Sequence, residues 1–452
     1  MVKEMHTLLI IAGSDSCAGA GIQQDLKVAT LLGVYGLTVI TAVTAQNSLG
    51  VQRWEPLAPD LVAAQLSAVC SDIRVAAVKI GMLATAEIIR TVAAALRQIS
   101  APIVVDPVLA ASDGSPLLAE EGVAALKEEL LPLTTVLTPN LAEAGRLLGR
   151  EIREVEAMVA AAQELRQLGP QAVLVKGGHL AGPPVDVLVF GGEVYRLPGE
   201  RLANPHTHGT GCALAAALAA HLARGQALPE AINQARALVA EAIRWGLPLG
   251  EGRGPVNTAA PFLREQERLR VLQALQAAAA RLQAADITDL IPEVQSNLGY
   301  ATRYPRDAAD VAAFPGRLLR TPAGLLIPRE PAFGASRHIA AVILTAHQVH
   351  PHIRAAMNIR YLETVAELAP LLHLKVAQFD RAQEPPEVKA REGSTLAWGV
   401  ASVLSPGEPP PDLIYDRGDW GKEPMIRVLG TDPMDVVSKV LALQQAWLAG
   451  GR

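Results

Sequence analysis

From Thr7 to about Leu249 the chain alternates short apolar runs with stretches in which apolar residues recur every three or four positions. TLLIIAG, GLTVITAV, VAAVKIGML, PIVVDPV, TTVLTPN and AVLVKGG read as strands, and segments such as QDLKVATLLG and AEIIRTVAAALRQIS read as helices between them. Strands that are apolar throughout, rather than at every second position, are covered on both faces. The pattern therefore predicts an α/β fold, a doubly wound and mostly parallel sheet whose ligands sit at the carboxyl ends of the strands. GGEVYRLPGERL reads as an edge hairpin. GEGRGPVNTAAPF has many Gly and Pro residues and no period, so a first domain is expected over residues 1–250, a linker over 251–264 and a second domain over 265–452. LREQERLRVLQALQAAAARLQAA is read as the opening helix of that second domain, because its Leu and Val stripe needs a partner. Beyond Ile291, Arg, His, Asp and Asn stand beside apolar runs, and a smaller α+β domain is expected there.

Composition narrows the function classes. The 452 residues are 50% hydrophobic, enough for two cores, and the net charge of −5 offers no global attraction to nucleic acid or to an anionic membrane. Cys17, Cys70 and Cys212 are widely spaced and suit neither a disulfide framework nor a zinc cluster. The opening MVKEMHTLLIIAGSD carries an apolar run too short for export, so a cytoplasmic location is expected, with small-molecule substrates rather than nucleic acid or membrane partners.

The stretch HTHGTGCALAAALAAHLARG runs from small residues straight into a helical pattern. Gly209, Thr210 and Gly211 would leave backbone N–H groups and the positive end of a helix dipole facing an anion such as a transferred phosphate. Cys212 in the first turn is expected to have a lowered pKa and to help deprotonate or orient an attacking hydroxyl. The same residues would also make an ordinary strand-to-helix turn with an inert cysteine. Asp25 reads as solvated helix surface, and His179 and His208 as loop histidines outside the catalytic set.

Polar or glycine residues close each apolar run: IAGSDSCAGAGIQQDLK, TAVTAQNS, VKIGML, VDPV, LTPNLAEA and VKGGH. This ordered set, over about residues 6 to 250, resembles the hydroxymethylpyrimidine and hydroxymethylpyrimidine-phosphate kinases of the ribokinase-like fold. A Cys where sugar-kinase relatives carry Asp in their GTGD loop points to that branch. The resemblance implies that Gln46 hydrogen-bonds the aminopyrimidine edge inside a pocket of Gly13, Ala20, Val43, Met82 and Val108. It implies Asp106 and Glu143 as the magnesium environment, and Asn140, Lys176 and Thr210 at the ATP phosphates. Cys212, Lys176, Gly209 and Gly211 would carry the chemistry, with ATP and Mg²⁺ required and a homo-oligomer expected. Within the fold the rival is a pyridoxal kinase.

The second domain holds three clusters able to grip an anion: Arg337 and His338 with Arg354, Asn358 and Arg360; Asp380 with Arg381; and Asp416, Asp419, Lys422 and Arg427. SRHIAAVILTA, AAMNIRY, EGSTLAWG and above all PDLIYDRGDWGKEPMIRVLG resemble a thiamine-phosphate synthase domain over about residues 268 to 450. That resemblance implies coupling of the pyrimidine pyrophosphate to a thiazole phosphate. Arg337, His338, Arg360 and Lys422 are the candidates for holding the leaving pyrophosphate, and Asp416 and Asp419 for holding Mg²⁺ or steadying the pyrimidinylmethyl cation. The other readings are a sensor of thiamine phosphates, of the kind joined elsewhere to a DNA-binding helix-turn-helix, or an oligomerisation module. Neither a basic recognition helix nor a DNA reader is evident in the sequence.

Overall fold

The structure, a computed structural model, describes residues 5–111, 114–389 and 394–450. The chain divides into two compact units, Met1–Pro261 and Phe262–Arg452.

The first unit is built on a nine-stranded sheet of order β3-β2-β1-β4-β5-β6-β7-β8-β9. Its centre is parallel: β1 (Thr7–Asp15), β2 (Tyr35–Asn47), β4 (Ala77–Ile80), β5 (Ile103–Val105), β6 (Val136–Leu137) and β7 (Ala172–Val175). Leu8, Leu9, Ile10 and Ile11 are consecutive and all fully buried, which requires cover on both faces and explains why β1 shows no alternation. Each such side chain contributes about 1.5–3 kcal/mol by leaving water. Of the two antiparallel edges, only the hairpin was legible in the sequence. β3 (Gly50–Pro56) pairs with β2, and its half-exposed VQRWEP reads as a loop; β8 (Val185–Phe190) joins β7 to the expected edge strand β9 (Glu193–Pro198).

The segment read as a linker is bound into this unit instead. Arg253 N–H donates to Ser48 O (2.9 Å), Val256 N–H to His208 O (3.0 Å) and Asn257 N–H to Ala242 O (2.9 Å), while His208 N–H donates to Gly254 O (3.1 Å). Val256, Asn257 and Thr258 are buried. Gly and Pro broke the helical period here without freeing the backbone, whose polar groups found partners.

The second unit carries a seven-stranded sheet, β14-β11-β10-β15-β18-β17-β16, and a separate hairpin of β12 (Leu319–Thr321) and β13 (Gly324–Leu326). The sheet strands are β10 (Leu298–Ala301), β11 (Val311–Ala313), β14 (Ala332–Phe333), β15 (Ala355–Arg360), β16 (Val376–Gln378), β17 (Leu413–Asp416) and β18 (Met425–Gly430). All neighbours are antiparallel except β16 with β17. Val271, Leu275 and Leu282 of the long helix Ala260–Ala285, with Val436, Val440 and Leu443 of the helix Pro433–Ala449, pack on one face. Ile339, Ile343 and Ala346 of the helix Arg337–Val349 pack on the other. The apolar stripe of the long helix thus found the partner it needed within this unit.

Candidate functional site

In the first unit the carboxyl ends of the parallel strands meet the start of the helix Thr210–Ala223. Two glycines make the meeting possible. Gly209 has φ +81°, and a Cβ on it would lie 1.7 Å from Gly19 O; Gly21 has φ +57°, and a Cβ there would lie 2.4 Å from Gly13 O. Only glycine lets these loops interlock. At Gly211 a Cβ would stand 3.2 Å from both Asp106 Oδ2 and Lys176 Nζ, so the first turn of the helix lies directly against those two charges.

Lys176 follows β7 and places Nζ 2.7 Å from Asp106 Oδ1 and 3.9 Å from Glu143 Oε2. Asn140 and Glu143 form a capping box on the helix Leu141–Leu148: Asn140 Oδ1 accepts from Glu143 N–H (2.9 Å), and Glu143 Oε2 from Asn140 N–H (2.7 Å). The box commits one oxygen of each side chain to the helix, and it holds Glu143 in place beside Lys176. Burial pushes the Glu143 carboxyl up to about 7 although Lys176 pulls the other way, and Asp106 adds to the rise. A divalent cation would draw the proton from Glu143 and sit between two carboxylates that face a single ammonium, so the donor set of Asp106 and Glu143 fits Mg²⁺. Thr210 is turned inward, its hydroxyl donating to Thr207 O (2.7 Å).

Cys212 lies on this helix start, but its chemistry differs from expectation. Burial pushes the thiol up to about 11; Lys79 favours the thiolate, Asp25 and Asp106 oppose it, and a hydrogen bond from Gly21 N–H favours it. The cost of desolvation exceeds the help of the helix dipole, and Cys212 rests as a thiol at neutral pH. The reading of Asp25 as solvated surface is also corrected. Asp25 and Lys79 are both 0% exposed and form an ion pair of 2.6 Å, and among the described residues Asp25 Oδ1 has no hydrogen-bond partner. Burial holds Asp25 up at about 6 against the pull of Lys79. Burial alone would lower the Lys79 pKa, but Asp25, with Cys212 and Asp106, raises it, so Lys79 stays a cation. A lysine inside the apolar run VAAVKIGML was the sequence signal for this pair.

The pocket residues come together in part. A Cβ on Gly13 would touch Met82 Sδ at 3.0 Å, and Val108 packs against the same core as Met82. Ala20 is the N-cap of the helix Gly21–Leu31, and Val43 stands half exposed on β2. Gln46 is pinned by its main chain, Gln46 N–H donating to Ser16 Oγ and Ser16 Oγ–H to Gln46 O, both at 2.8 Å. Its amide lies 3.2 Å from Nε2 of His208, a buried residue that stands in the site and not on an idle loop.

In the second unit the candidates lie on several elements, with Arg360, Asp416 and the turn of Asp419 and Lys422 at one end of the sheet, where Arg360 and Asp416 both register with Met425. Arg337 and His338 are exposed on the first turn of their helix, Arg360 is exposed at the end of β15, and Lys422 and Asp419 are exposed on a tight turn crowned by Trp420, which is 99% exposed. Arg354 donates to Ala301 O (2.8 Å) and pairs with Glu267 (3.0 Å), and Asn358 ties Asn297 N–H to Gln295 O, so both hold strands together. Asp380 accepts from Ala382 N–H (2.9 Å). Asp416 is fully buried between two guanidinium groups: Arg381 Nε at 2.5 Å from Oδ1 and Arg427 Nη1 at 2.7 Å from Oδ2. Burial opposes its ionisation, but these hydrogen bonds and charges hold its carboxyl below the usual range. The reading of Asp416 as a magnesium ligand is therefore corrected: two cations already occupy both oxygens. Asp419 is engaged by Trp420 N–H (2.8 Å) and by Lys389 (3.5 Å).

Parallel strands ending on two carboxylates, a lysine and a glycine-opened helix define the first unit as a phosphotransferase of the ribokinase-like fold. Residues 15–257 match the family model of phosphomethylpyrimidine kinase, and residues 274–442 match that of thiamine-phosphate synthase ThiN. The chain belongs to the phosphomethylpyrimidine kinase family, with a thiamine-phosphate synthase domain behind the kinase. It is 51% identical over 253 residues to a hydroxymethylpyrimidine/phosphomethylpyrimidine kinase of Rhizobium meliloti, covering 55% of this chain and 95% of that one. It is 49% identical over 253 residues to the thiamine biosynthesis bifunctional protein ThiED of Geobacter sulfurreducens, covering 56% of this chain and 52% of that one. Among solved structures, an ADP complex of Bacillus subtilis pyridoxal kinase aligns with TM-score 0.54 at 40% identity, over 57% of this chain and all of the other. No described helix is long and apolar enough to cross a membrane.

Proposed function

We propose that the first unit transfers the terminal phosphoryl group of ATP to the hydroxyl of 4-amino-5-hydroxymethyl-2-methylpyrimidine and then to the resulting monophosphate. The second unit couples the pyrophosphate so formed with a thiazole phosphate, releasing inorganic pyrophosphate and giving thiamine phosphate. The observation that carries the kinase reading is the meeting of Asp106, Glu143, Lys176 and Cys212 at one helix start, with Gln46 and Met82 on the same rim of the sheet. Lys176 and the first N–H groups of the helix Thr210–Ala223 are placed to offset charge on the moving phosphoryl group. Mg²⁺, held by Asp106 and Glu143, would neutralise the phosphate oxygens. The hydroxyl must lose its proton as its oxygen bonds to phosphorus. Cys212 takes it as a thiolate, a minority species that Lys79 makes less costly. In the second unit Arg337, His338, Arg360 and Lys422 are the exposed cations offered to the leaving pyrophosphate, which needs charge-assisted contacts and no nucleophilic side chain.

Product analysis of the full chain with the hydroxymethylpyrimidine, ATP, Mg²⁺ and thiazole phosphate tests both halves. Mono- and pyrophosphate should appear in order, followed by thiamine phosphate. Given the pyrimidine pyrophosphate directly, the last step should proceed without ATP; tight binding of thiamine phosphate with no turnover would instead mark the second unit as a sensor. The likeness to the Bacillus pyridoxal kinase favours one further activity on pyridoxal. A higher kcat/KM for pyridoxal, with no turnover of the pyrimidine monophosphate, would replace the reading of the first unit.

A further inference from the structure

Beside Gln46 lies a cavity of about 240 Å³ whose lining includes Gln46, Ser48, His208 and Arg253. His208 is held there from both sides of its main chain, by Gly254 O and Val256 N–H, and its ring rests against Gly19, where a Cβ would come within 2.9 Å of Nε2. Asp15, at the end of β1, is 3% exposed and accepts from Cys17 N–H (2.9 Å), Gly19 N–H (3.0 Å) and Ala20 N–H (2.8 Å). Its Oδ2 also stands 3.0 Å from His208 Nε2. Asp15, Cys17 and His208 bring a carboxylate oxygen, a thiol and a ring nitrogen within 4.8 Å of one another, a set that would suit a soft cation. Three backbone N–H groups, the His208 ring and the Cys17 thiol already engage the carboxylate, so the cluster is a hydrogen-bonded anchor.

That anchor decides how Gln46 is turned. The ring nitrogen 3.0 Å from Asp15 is the same one that lies 3.2 Å from the Gln46 amide, and one imidazole nitrogen cannot donate and accept at once. Burial opposes ionisation of Asp15, yet hydrogen bonds from His208, Ala20 and Cys17 hold its carboxyl below the usual range, so it is a carboxylate and accepts only. Nε2 therefore carries the proton and has no lone pair for an amide N–H. The oxygen of the amide belongs at the 3.2 Å position, where it shares the one Nε2–H with Asp15 Oδ2.

We propose that Asp15 and His208 fix the amide of Gln46 with Oε1 on the imidazole and Nε2 turned into the pocket, which makes His208 a positioning residue for selection of the aminopyrimidine ring. The inference rests on the proposed contact between Gln46 and that ring. Oε1 has a second lone pair for the exocyclic amino group, and Nε2 donates to the neighbouring ring nitrogen. Pyridoxal has no amino group beside its ring nitrogen, so it cannot take both amide contacts along one edge. Without His208 the amide turns freely and discrimination falls.

Steady-state kinetics of the full chain on the hydroxymethylpyrimidine and on pyridoxal, in His208→Leu, His208→Gln and Gln46→Leu, test the relay. His208→Leu should raise the pyrimidine KM about tenfold, the scale of one lost hydrogen bond, with kcat and the KM for ATP nearly unchanged. The preference for pyrimidine over pyridoxal should fall by the same factor. His208→Gln, which keeps an N–H donor at similar reach, should recover most of it. Unchanged preference in His208→Leu, equal loss in His208→Gln, or a fall in kcat at constant KM would overturn the relay. An unchanged pyrimidine KM in Gln46→Leu would overturn instead the placement of Gln46 on the ring.

Discussion

Each unit buries a carboxylate against a cation, but the two arrangements have different neighbours. In the first unit the Asp25–Lys79 pair has one carboxylate oxygen without a hydrogen-bond partner among the described residues, and its charges act on Cys212 and Asp106. In the second unit Asp416 is saturated by Arg381 and Arg427, and it ties the ends of β17 and β18 to the chain around residue 381. The first pair stands beside the proposed reaction site, whereas both oxygens of Asp416 are taken up by guanidinium groups that hold strands in place. A buried charge signals chemistry when its neighbours leave part of it unsatisfied, because the remaining field acts on something else.

The largest effect that sharpens this contrast is expected from Lys79→Met. It strands Asp25 in a dry site and should cost the first unit about 3–5 kcal/mol in denaturant unfolding. The paired change Lys79→Met with Asp25→Asn should restore most of that stability but not the kinase rate; full restoration of kcat would reduce the pair to scaffold. Next in size, Cys212→Ala should lower the rate of the first phosphorylation about 10²-fold with little change in ATP affinity. A rate near that of the parent chain would mean that Lys176 and the helix start suffice. In the second unit, Lys422→Ala or Arg360→Ala should slow thiamine phosphate formation about tenfold, since each removes one charge-assisted contact to the leaving group, while the kinase rate is unaltered. Normal coupling in both variants would shift the site away from these exposed cations.

The last test follows the pH dependence of Asp416 rather than its removal at neutral pH. Its pKa is lowered in the folded chain, so its contribution to stability is complete above the ordinary carboxylate value near 3.8 and is lost as pH falls through the lower, folded value. Unfolding of the second unit followed between pH 5 and 2 should show stability falling below about pH 4, and Asp416→Asn should flatten that dependence. A parent chain with no such fall would remove Asp416 from the structural anchors.

The parallel core was readable from the chain because each strand is apolar on both faces and each ends in glycine or a polar residue. The strand β3 was not, since an edge strand with one wet face, VQRWEP, has the composition of a loop. Gly209 and Gly211 stand in a loop that opens a helix, Asp106, Glu143 and Lys176 take their roles from the family resemblance of runs that close strands, and the sheet brings Gly211 and the three charged groups together because parallel neighbours end on the same side. In the second unit Arg337, His338, Arg360 and Lys422 are candidates through the family resemblance, and they emerge on separate elements: Arg337 and His338 open a helix, Arg360 ends β15 in register with Met425 of β18, and Lys422 lies in the turn before β18. What local pattern determined was the identity and order of the elements, through hydrophobic period, caps and turns. Whether Asp25 met water or Lys79, whether Cys212 was thiol or thiolate, and which way Gln46 faced were decided only when distant segments packed. Those outcomes depend on desolvation and on partners up to 193 residues apart, as between Asp15 and His208, and no window of sequence contains them.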